Sequence, residues 1–200
     1  MRPIVAFQGE SGAFSEKAIE YLVEGPVKLL SCNTFDATTG AVVQGIAHLA
    51  VIPVENLIAG PVHAALDALA AAPELEQIGE HLLPVRHALL GLPDATVGDI
   101  REALSHEMAL KQCRRFFAEH PEIKAVEAHD TAGAARLVGI RRDPTVAAIA
   151  GAWAAERYGL AVILDGLQDH EDNFTRFVLV RRKRMGGRLD LGGSASGATR

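Results

Sequence analysis

The chain has 200 residues, of which 48% are hydrophobic and 22% are charged, enough apolar material for one domain or two small lobes. Its formal net charge of -5 disfavours general nucleic-acid binding, because that binding needs a basic face to displace counterions. No apolar run reaches membrane-spanning length and none resembles a signal peptide, so we expect a cytoplasmic protein that binds no membrane and acts on a soluble small molecule.

Short β-type runs alternate with longer helical patterns through the first third of the chain. The predicted strands cover residues 4–7, 27–32 and 49–54. The predicted helices cover residues 15–23, 35–44 and a stretch that follows Pro61 and runs to residue 71. This β-α-β-α-β-α order is typical of a parallel or mixed sheet covered by helices.

From residue 75 two extended segments, 75–81 and 85–90, follow each other with only Pro84 and its neighbours between them. We interpret this pair as a crossover into a second α/β lobe. That lobe is predicted to contain helices at 97–102, 107–119, 131–139 and 152–158 and strands at 103–105, 124–128 and 146–150, with residues 162–164 leading back. A late strand at 175–180 then returns to the first lobe.

The predicted boundaries are residues 1–76 plus 166–182 for lobe 1 and residues 77–165 for lobe 2. Residues 183–200 are rich in Gly, Ser and Ala and are predicted to form a disordered tail, because they cannot bury enough apolar surface to stay ordered. Two α/β lobes joined by crossing segments leave a cleft between them, which is the usual place for a small polar ligand.

A loop rich in Gly and Ser, residues 8–15, joins the first predicted strand to the first predicted helix. The backbone N–H groups of such a loop, together with the helix N-terminus, are suited to receiving an anion. A tight strand-to-helix turn capped by Ser15 explains the same composition. This segment alone supports both interpretations equally.

An acidic residue and an amide, Glu55 and Asn56, directly follow the apolar strand that ends at Val54. Proteins of the α/β class place ligand groups at this end of a strand. An Asx turn formed by the Asn56 side chain is the purely structural explanation.

A second amide lies on the predicted helix 107–119, for which Ser105 is a plausible N-cap. Gln112 shares a helix face with apolar residues at i, i+3, i+4 and i+7 spacing, namely Ala109, Cys113 and Phe116. An amide on an apolar face needs a hydrogen-bond partner, either in the protein or on a ligand.

The segment that opens the predicted helix at Thr131 consists mostly of small residues, so a ligand can approach its N-terminal amides closely. A structural cap is the favoured interpretation of this segment. On the late strand, Thr175 and Phe177 point to one face and Arg176 to the other, and a Thr at the start of a strand is most often simply a good β-former.

Spacing gives no indication of a metal or cofactor. The eight histidines form no HxH or HExxH pattern, and Cys32 and Cys113 are isolated from each other. There is no Walker loop and no G-x-S-x-G motif. We therefore expect no metal, no cofactor and no disulfide framework.

Six segments, taken in order, resemble the prephenate dehydratase family across residues 4–181: FQGESGAFSEKA, VIPVENLIAGPV, SHEMALKQC, DTAGAARLV, AAIAGAWAAERYGL and QDHEDNFTRFVLV. The resemblance implies a two-lobed α/β fold like that of type II periplasmic binding proteins, with the active site in the interlobe cleft. It also implies the decarboxylative dehydration of prephenate to phenylpyruvate in L-phenylalanine biosynthesis, and a homodimer or higher homo-oligomer.

The resemblance also assigns residues to roles. Thr175 matches the catalytic threonine of the family's Thr-Arg-Phe motif, and the catalytic set that we predict is Thr175, Glu55, Asn56 and Gln112. The predicted substrate-binding residues are Ser11, Gly12, Ala13, Ser15, Ser105, Thr131, Ala132, Gly133, Arg176 and Phe177. Glu55 is expected to be protonated or paired with a cation, because an ionised carboxylate beside a dianion is unfavourable.

Two departures from the family pattern limit what the resemblance implies. Leu57 stands where the family usually has a small hydroxyl residue, which removes a hydrogen bond near the substrate. The chain has no Glu-Ser-Arg-Pro element and ends about where a C-terminal ACT domain would begin, so a catalytic core without that module is expected.

Three alternatives are weighed against a prephenate dehydratase. An arogenate dehydratase would use the amino analogue of the same substrate. A non-catalytic small-anion-binding protein would use the same scaffold. A decarboxylase that leaves its product non-aromatic is disfavoured, because such relatives lack the Thr-Arg-Phe motif that is present here.

Overall fold

The chain forms two lobes, each built on its own β-sheet, in a computed structural model that describes residues 2–183. Residues 184–200 lie outside the described part, so of the predicted tail only Lys183 is described. In the first lobe the elements run in the order β1 (Ile4–Gln8), α1 (Phe14–Leu22), β2 (Lys28–Cys32), α2 (Phe35–Val43), β3 (Leu49–Asn56), β4 (Gly60–Pro61), α3 (His63–Ala70) and β5 (Leu75–Pro84).

The second lobe is contiguous in sequence. Its elements are β6 (Ala88–Gly91), a 3-10 turn (Val97–Asp99), β7 (Glu102–Ser105), α4 (Glu107–Lys111), α5 (Arg114–Glu119), β8 (Lys124–Glu127), α6 (Thr131–Arg141), β9 (Val146–Ala150), α7 (Ala154–Tyr158) and β10 (Ala161–Leu164). The chain then returns to the first lobe as β11 (Phe174–Arg182).

The first sheet has the strand order β2-β1-β3-β11-β5, with β4 added to β3. β1 runs parallel to β2 and β3, whereas β11 runs antiparallel between β3 and β5. Alternate residues of these apolar strands pack on opposite faces of the sheet. Phe7 packs with residues of α1, and Ile52 packs with residues of α2 and α3.

The second sheet has the order β10-β6-β9-β7-β8. All five residues of its central strand β9 are buried, three of them alanines, which lets helices pack closely on both faces. Ala148 belongs to the core beneath α6 and α7, and Ile149 belongs to the core that contains Phe116 of α5. The two-lobed α/β fold is thus confirmed.

The lobe boundaries differ from the predicted ones at both crossings. β5 pairs with β11 along its whole length to Pro84, so residues 77–84 belong to the first sheet. The chain crosses at residues 85–87 and again at 165–173, where Leu167 packs in the core of the second lobe. The partner that extends β5 is a strand almost a hundred residues later, which the local pattern does not reveal.

Two helical predictions also need correction. The predicted helix 107–119 is broken at Gln112 and Cys113 into α4 and α5, because the Asp169 carboxylate accepts hydrogen bonds from the N–H groups of Arg114 and Arg115, at 3.0 and 2.9 Å, and so caps a new helix. The predicted helix 97–102 is only the 3-10 turn Val97–Asp99, after which β7 begins.

Loop 9–13 of the first lobe is docked on α6 and α7 of the second. The Trp153 indole N–H donates to the Gly12 carbonyl at 2.8 Å, and the Tyr158 hydroxyl donates to the Ser11 carbonyl. Ala132 of α6 is packed in the core that contains Phe7 and α1. Within residues 2–183 no helix has the length and apolar character needed to cross a membrane.

Candidate active site

A cavity of about 450 Å³ lies between the lobes, within the size range of small-molecule sites. It is lined by strand ends and loops of the first lobe, by the crossing segment 85–87, and by the starts of helices in the second lobe. The predicted site residues among its lining are Ala13, Ser15, Asn56, Gln112, Thr131, Thr175 and Phe177.

Thr175 and Asn56 face each other across the β11–β3 ladder at one end of this cavity. The Asn56 side-chain oxygen accepts from the backbone N–H groups of Ile58 and Ala59, at 3.1 and 2.8 Å, so the Asx turn is present. Its amide nitrogen donates to Thr175 Oγ1 at 3.0 Å. Since Asn56 occupies a lone pair of Thr175, the threonine hydroxyl hydrogen is left to donate into the cleft.

Gln112 approaches the same network from the second lobe. Its side-chain oxygen accepts from Asn173 Nδ2 at 3.1 Å and lies 3.1 Å from His87 Nε2. Asn173 in turn accepts from Asn56 at 2.8 Å, so one chain of hydrogen bonds joins both lobes. Gln112 lines the cleft, and its oxygen has two protein partners, whereas its amide nitrogen has none among the described residues.

His87 and Asn173 are central to this network but were not predicted. His87 is 2% exposed and Asn173 is 1% exposed. Neither stands out in the sequence, because Arg86 precedes His87 and the acidic pair Glu171 and Asp172 precedes Asn173. Burial lowers the pKa of His87 below its usual value, more than the hydrogen bond to Gln112 raises it, so the ring is neutral at pH 7.

Two helix N-termini border the cavity, those of α1 and α6. At α1 the first helical amides follow Ala13, which is the N-cap in place of Ser15. At α6 the N-cap is Asp130, whose carboxylate accepts from the Gly133 N–H at 2.6 Å. The amides that precede the first intrahelical bonds have no partner within their helix and attract an anion.

Glu55 and Arg176 lie on the opposite face of the sheet, away from the cavity. They form a cross-strand ion pair at 3.2 Å, and Arg176 also lies 3.6 Å from Glu80. The alternation of β11 requires this placement, because Thr175 and Phe177 face the cleft. Glu55 is therefore paired with a cation, and its predicted catalytic role is not supported by its position, nor is substrate contact by Arg176.

The other predicted binding residues also lie outside the cavity lining. Ser105 is fully buried and donates to the Ile149 carbonyl at 2.6 Å, while His106 is the actual N-cap of α4. Ser11 and Gly12 hold loop 9–13 on the second lobe, and the Gly12 N–H donates to Glu16 at 2.8 Å. The remaining two, Ala132 and Gly133, lie behind Thr131 in α6.

The lining of the cavity combines two helix N-termini with three histidines, His87, His106 and His129. None of the residues that line it is Lys or Arg, and Asp130 is its one carboxylate. Among residues 2–183 no group of three or more His, Cys, Asp or Glu side chains is placed to hold a metal ion. Cys113 is buried, which raises the pKa of its thiol to about 12.

The chain is similar to known proteins in both sequence and structure. A curated relative, arogenate dehydratase 5, chloroplastic, from Arabidopsis thaliana, is 38% identical over 93% of this chain, which spans 44% of that protein. A solved prephenate dehydratase from Arthrobacter aurescens, in complex with L-Phe, is 32% identical with a TM-score of 0.81, over 90% of this chain and 60% of that one.

A further solved structure, described as GqqA, a quorum quenching acylase, is 38% identical with a TM-score of 0.78, over 90% of this chain and 64% of that one. The chain therefore spans less than half the length of the curated relative and under two thirds of these solved chains. The family model described as prephenate dehydratase matches residues 5–185. On these matches, the chain belongs to the prephenate dehydratase family.

Proposed function

We propose that this chain catalyses the decarboxylative dehydration of prephenate to phenylpyruvate. The observation that carries the proposal is the Thr175 hydroxyl, which faces the interlobe cavity and accepts from Asn56 at 3.0 Å. A hydroxyl held in this way is ready to donate. Dehydratase chemistry needs such a donor, because the leaving hydroxyl of the substrate is a poor leaving group.

Prephenate carries a carboxylate and a hydroxyl on opposite carbons of its ring and a second carboxylate on its side chain. When the ring carboxylate leaves as carbon dioxide, its electron pair moves through the diene and breaks the C–O bond. The departing hydroxide takes up a proton and becomes water, and the ring becomes aromatic. Thr175 donates a hydrogen bond that strengthens as negative charge develops on the leaving oxygen.

The N-termini of α1 and α6 supply the anion binding that the substrate needs. The lining offers no Lys or Arg, so partial charges of backbone amides and the free amide nitrogen of Gln112 stabilise the carboxylates. Fixed dipoles of this kind are effective in a closed site, because they need no reorganisation when charge moves during the reaction.

Arogenate is the second candidate substrate. It carries an ammonium group where prephenate has a keto group, so its net charge is less negative. The cavity contains the Asp130 carboxylate and no Lys or Arg, a combination that suits a substrate with one positive group. The Arabidopsis relative is named for arogenate.

Hydrolysis of an acyl amide, the activity in the name of one similar structure, has less support in the cavity. A threonine nucleophile needs an adjacent general base. Among the described residues, no histidine or carboxylate accepts a hydrogen bond from Thr175, and His87 bonds to Gln112. Thr175 is therefore better suited to donate a hydrogen bond to a leaving group than to act as a nucleophile.

The deciding experiment compares wild type with Thr175→Val and Thr175→Ser on prephenate and on arogenate. Product would be quantified by absorbance of phenylpyruvate and by amino-acid analysis of phenylalanine. Thr175→Val should lower kcat about 10²- to 10³-fold with little change in KM, because it removes a donor used in the transition state. Thr175→Ser should recover much of this loss.

Two results would contradict the proposal. One is wild-type turnover in Thr175→Val, and the other is a wild-type protein that binds both compounds without product. Faster turnover of arogenate than of prephenate would identify arogenate as the substrate. Assembly as a homodimer or higher homo-oligomer, and location in the cytoplasm, stay predictions.

A further inference from the structure

A buried histidine that the proposed reaction does not use lies at the back of the cleft. His87 belongs to the crossing segment 85–87, and its backbone N–H donates to Gln168 Oε1 at 2.9 Å. Its carbonyl accepts from Leu167 at 2.9 Å, and the edge of the Phe14 ring packs against it with centroids 5.7 Å apart. The His87 backbone is therefore held by the second crossing segment, and its ring packs against Phe14 of α1.

The direction of every hydrogen bond that leads to His87 is set by two backbone groups. Ile58 and Ala59 present N–H groups to Asn56, so the atom that receives them must be its oxygen. The other atom of that amide is the nitrogen, which donates to Asn173.

The same reasoning continues into the second lobe. Because the Asn173 oxygen is occupied by Asn56, its nitrogen is the atom that faces Gln112 and donates to it. The Gln112 atom at this junction is thus an oxygen, which only accepts. The His87 Nε2 atom, 3.1 Å from that oxygen, must carry a hydrogen and donate.

We propose that His87 is a positioning residue for Gln112: its Nε2–H and Asn173 together hold the Gln112 oxygen, so that the Gln112 amide nitrogen donates to the substrate beside Thr175. The inference rests on the proposed function for the identity of that substrate. The inference goes beyond the proposed function, because it assigns a role and a tautomer to a residue outside the six segments that resemble the family.

The unpaired second nitrogen of the ring supports this assignment. His87 Nδ1 is buried and has no hydrogen-bond partner among the described residues. With the hydrogen on Nδ1 instead, Nε2 would present a lone pair to the Gln112 oxygen, and the amide would have to turn its nitrogen away from the cleft. Burial also lowers the pKa of the ring, which keeps it neutral.

The first test is kinetic. His87→Phe keeps a ring of similar size but removes the donor, and we expect kcat to fall about tenfold or more with a smaller change in KM. His87→Gln carries an amide N–H that reaches the Nε2 position, and it should restore most of the lost turnover. His63→Gln, a change at an exposed histidine of α3, is the matched control and should keep wild-type kinetics.

The second test needs no activity. Two-dimensional ¹⁵N–¹H NMR of the wild-type imidazole at neutral pH should show a hydrogen on Nε2 and none on Nδ1 of His87. A hydrogen on Nδ1, a doubly protonated ring, or equal kinetic loss in His87→Phe and His87→Gln would overturn the inference. If wild type converts neither prephenate nor arogenate, the proposed function fails, while the NMR spectrum still decides the tautomer.

Discussion

The two faces of the β3–β11 ladder differ in chemistry although their residues are neighbours in sequence. On the cleft face, Asn56 and Thr175 form a buried network of neutral hydrogen-bonding groups. On the opposite face, Glu55 and Arg176 form an ion pair whose side chains are 50% and 40% exposed. A one-residue step along each strand therefore separates an oriented neutral site from a solvated charge pair.

The comparison teaches that adjacency to a functional residue is weak support for function on a β-strand. The neutral face holds groups whose donor and acceptor directions are fixed, which is what a leaving-group donor requires. The charged face is screened by water and holds no group in the cavity. Three predictions test this division, in addition to the substitutions at Thr175 and His87.

The largest effect is expected from Asn56→Asp. One carboxylate oxygen can still accept from the N–H groups of Ile58 and Ala59, so the turn is kept. The other oxygen replaces the nitrogen that donates to Thr175, and it can only accept a hydrogen bond from the threonine hydroxyl. The threonine hydroxyl then points away from the substrate, and kcat should fall about 10²- to 10³-fold.

Steady-state kinetics and thermal unfolding together measure this variant. Asn33→Asp adds the same charge at an exposed position outside the network and serves as its control. Retention of most wild-type turnover in Asn56→Asp would show that the direction of the Asn56 hydrogen bond does not matter.

A smaller effect is expected from pH, through His87. Its pKa is lowered in the folded protein, so below pH 6.5 the unfolded chain binds a proton that the folded chain does not. The free energy of unfolding should fall as the pH decreases from 6.5 toward the folded-state pKa, with a slope of at most about 1.4 kcal/mol per pH unit.

Urea unfolding of wild type and His87→Gln at pH 7.5 and 5.5 measures this contribution. Other groups titrate equally in both proteins, so the stability advantage of wild type should shrink at the lower pH. An advantage that is constant between the two pH values would mean that His87 is not held neutral.

The smallest effect is expected from the charged face. Glu55→Gln and Arg176→Gln should each change the free energy of unfolding by about 0–1 kcal/mol, because exposed ion pairs contribute little and are screened by salt. Turnover should stay within about twofold of wild type, since neither side chain lines the cavity. A loss of turnover comparable with that of Asn56→Asp would erase the distinction between the two faces.

Much of the fold followed from the sequence because its signals are local. The apolar strands ending at Phe7 and Val54 and the fully apolar run Val146–Ala150 each predicted a strand at the right place. What the pattern missed depends on contacts distant in sequence. Asp169 breaks the helix at Cys113, and β11 extends β5 to Pro84, and neither partner is visible from the segment it changes.

The part of the site that the sequence predicted also depends on local signals. Alternation correctly separated Thr175 from Arg176, and the amide at Gln112 correctly required a partner. Matching by motif also included Ser105, which is buried on β7 and donates to the neighbouring strand β9, and Glu55, which faces solvent. A motif marks which residues occur together, whereas the direction of each side chain is decided by register, which only the paired strands define.

The central position of β11 in the first sheet has a consequence for synthesis of the chain. The second lobe is contiguous, and all of its core and capping residues have been synthesised once the chain reaches Asp169. The first sheet keeps two open edges, on β3 and β5, until residues 174–182 emerge and fill the gap. Nascent chains that stall before Phe174 therefore expose the edges of β3 and β5, which can pair with strands of other chains. When β11 fills this gap, it also brings Thr175 to the cleft.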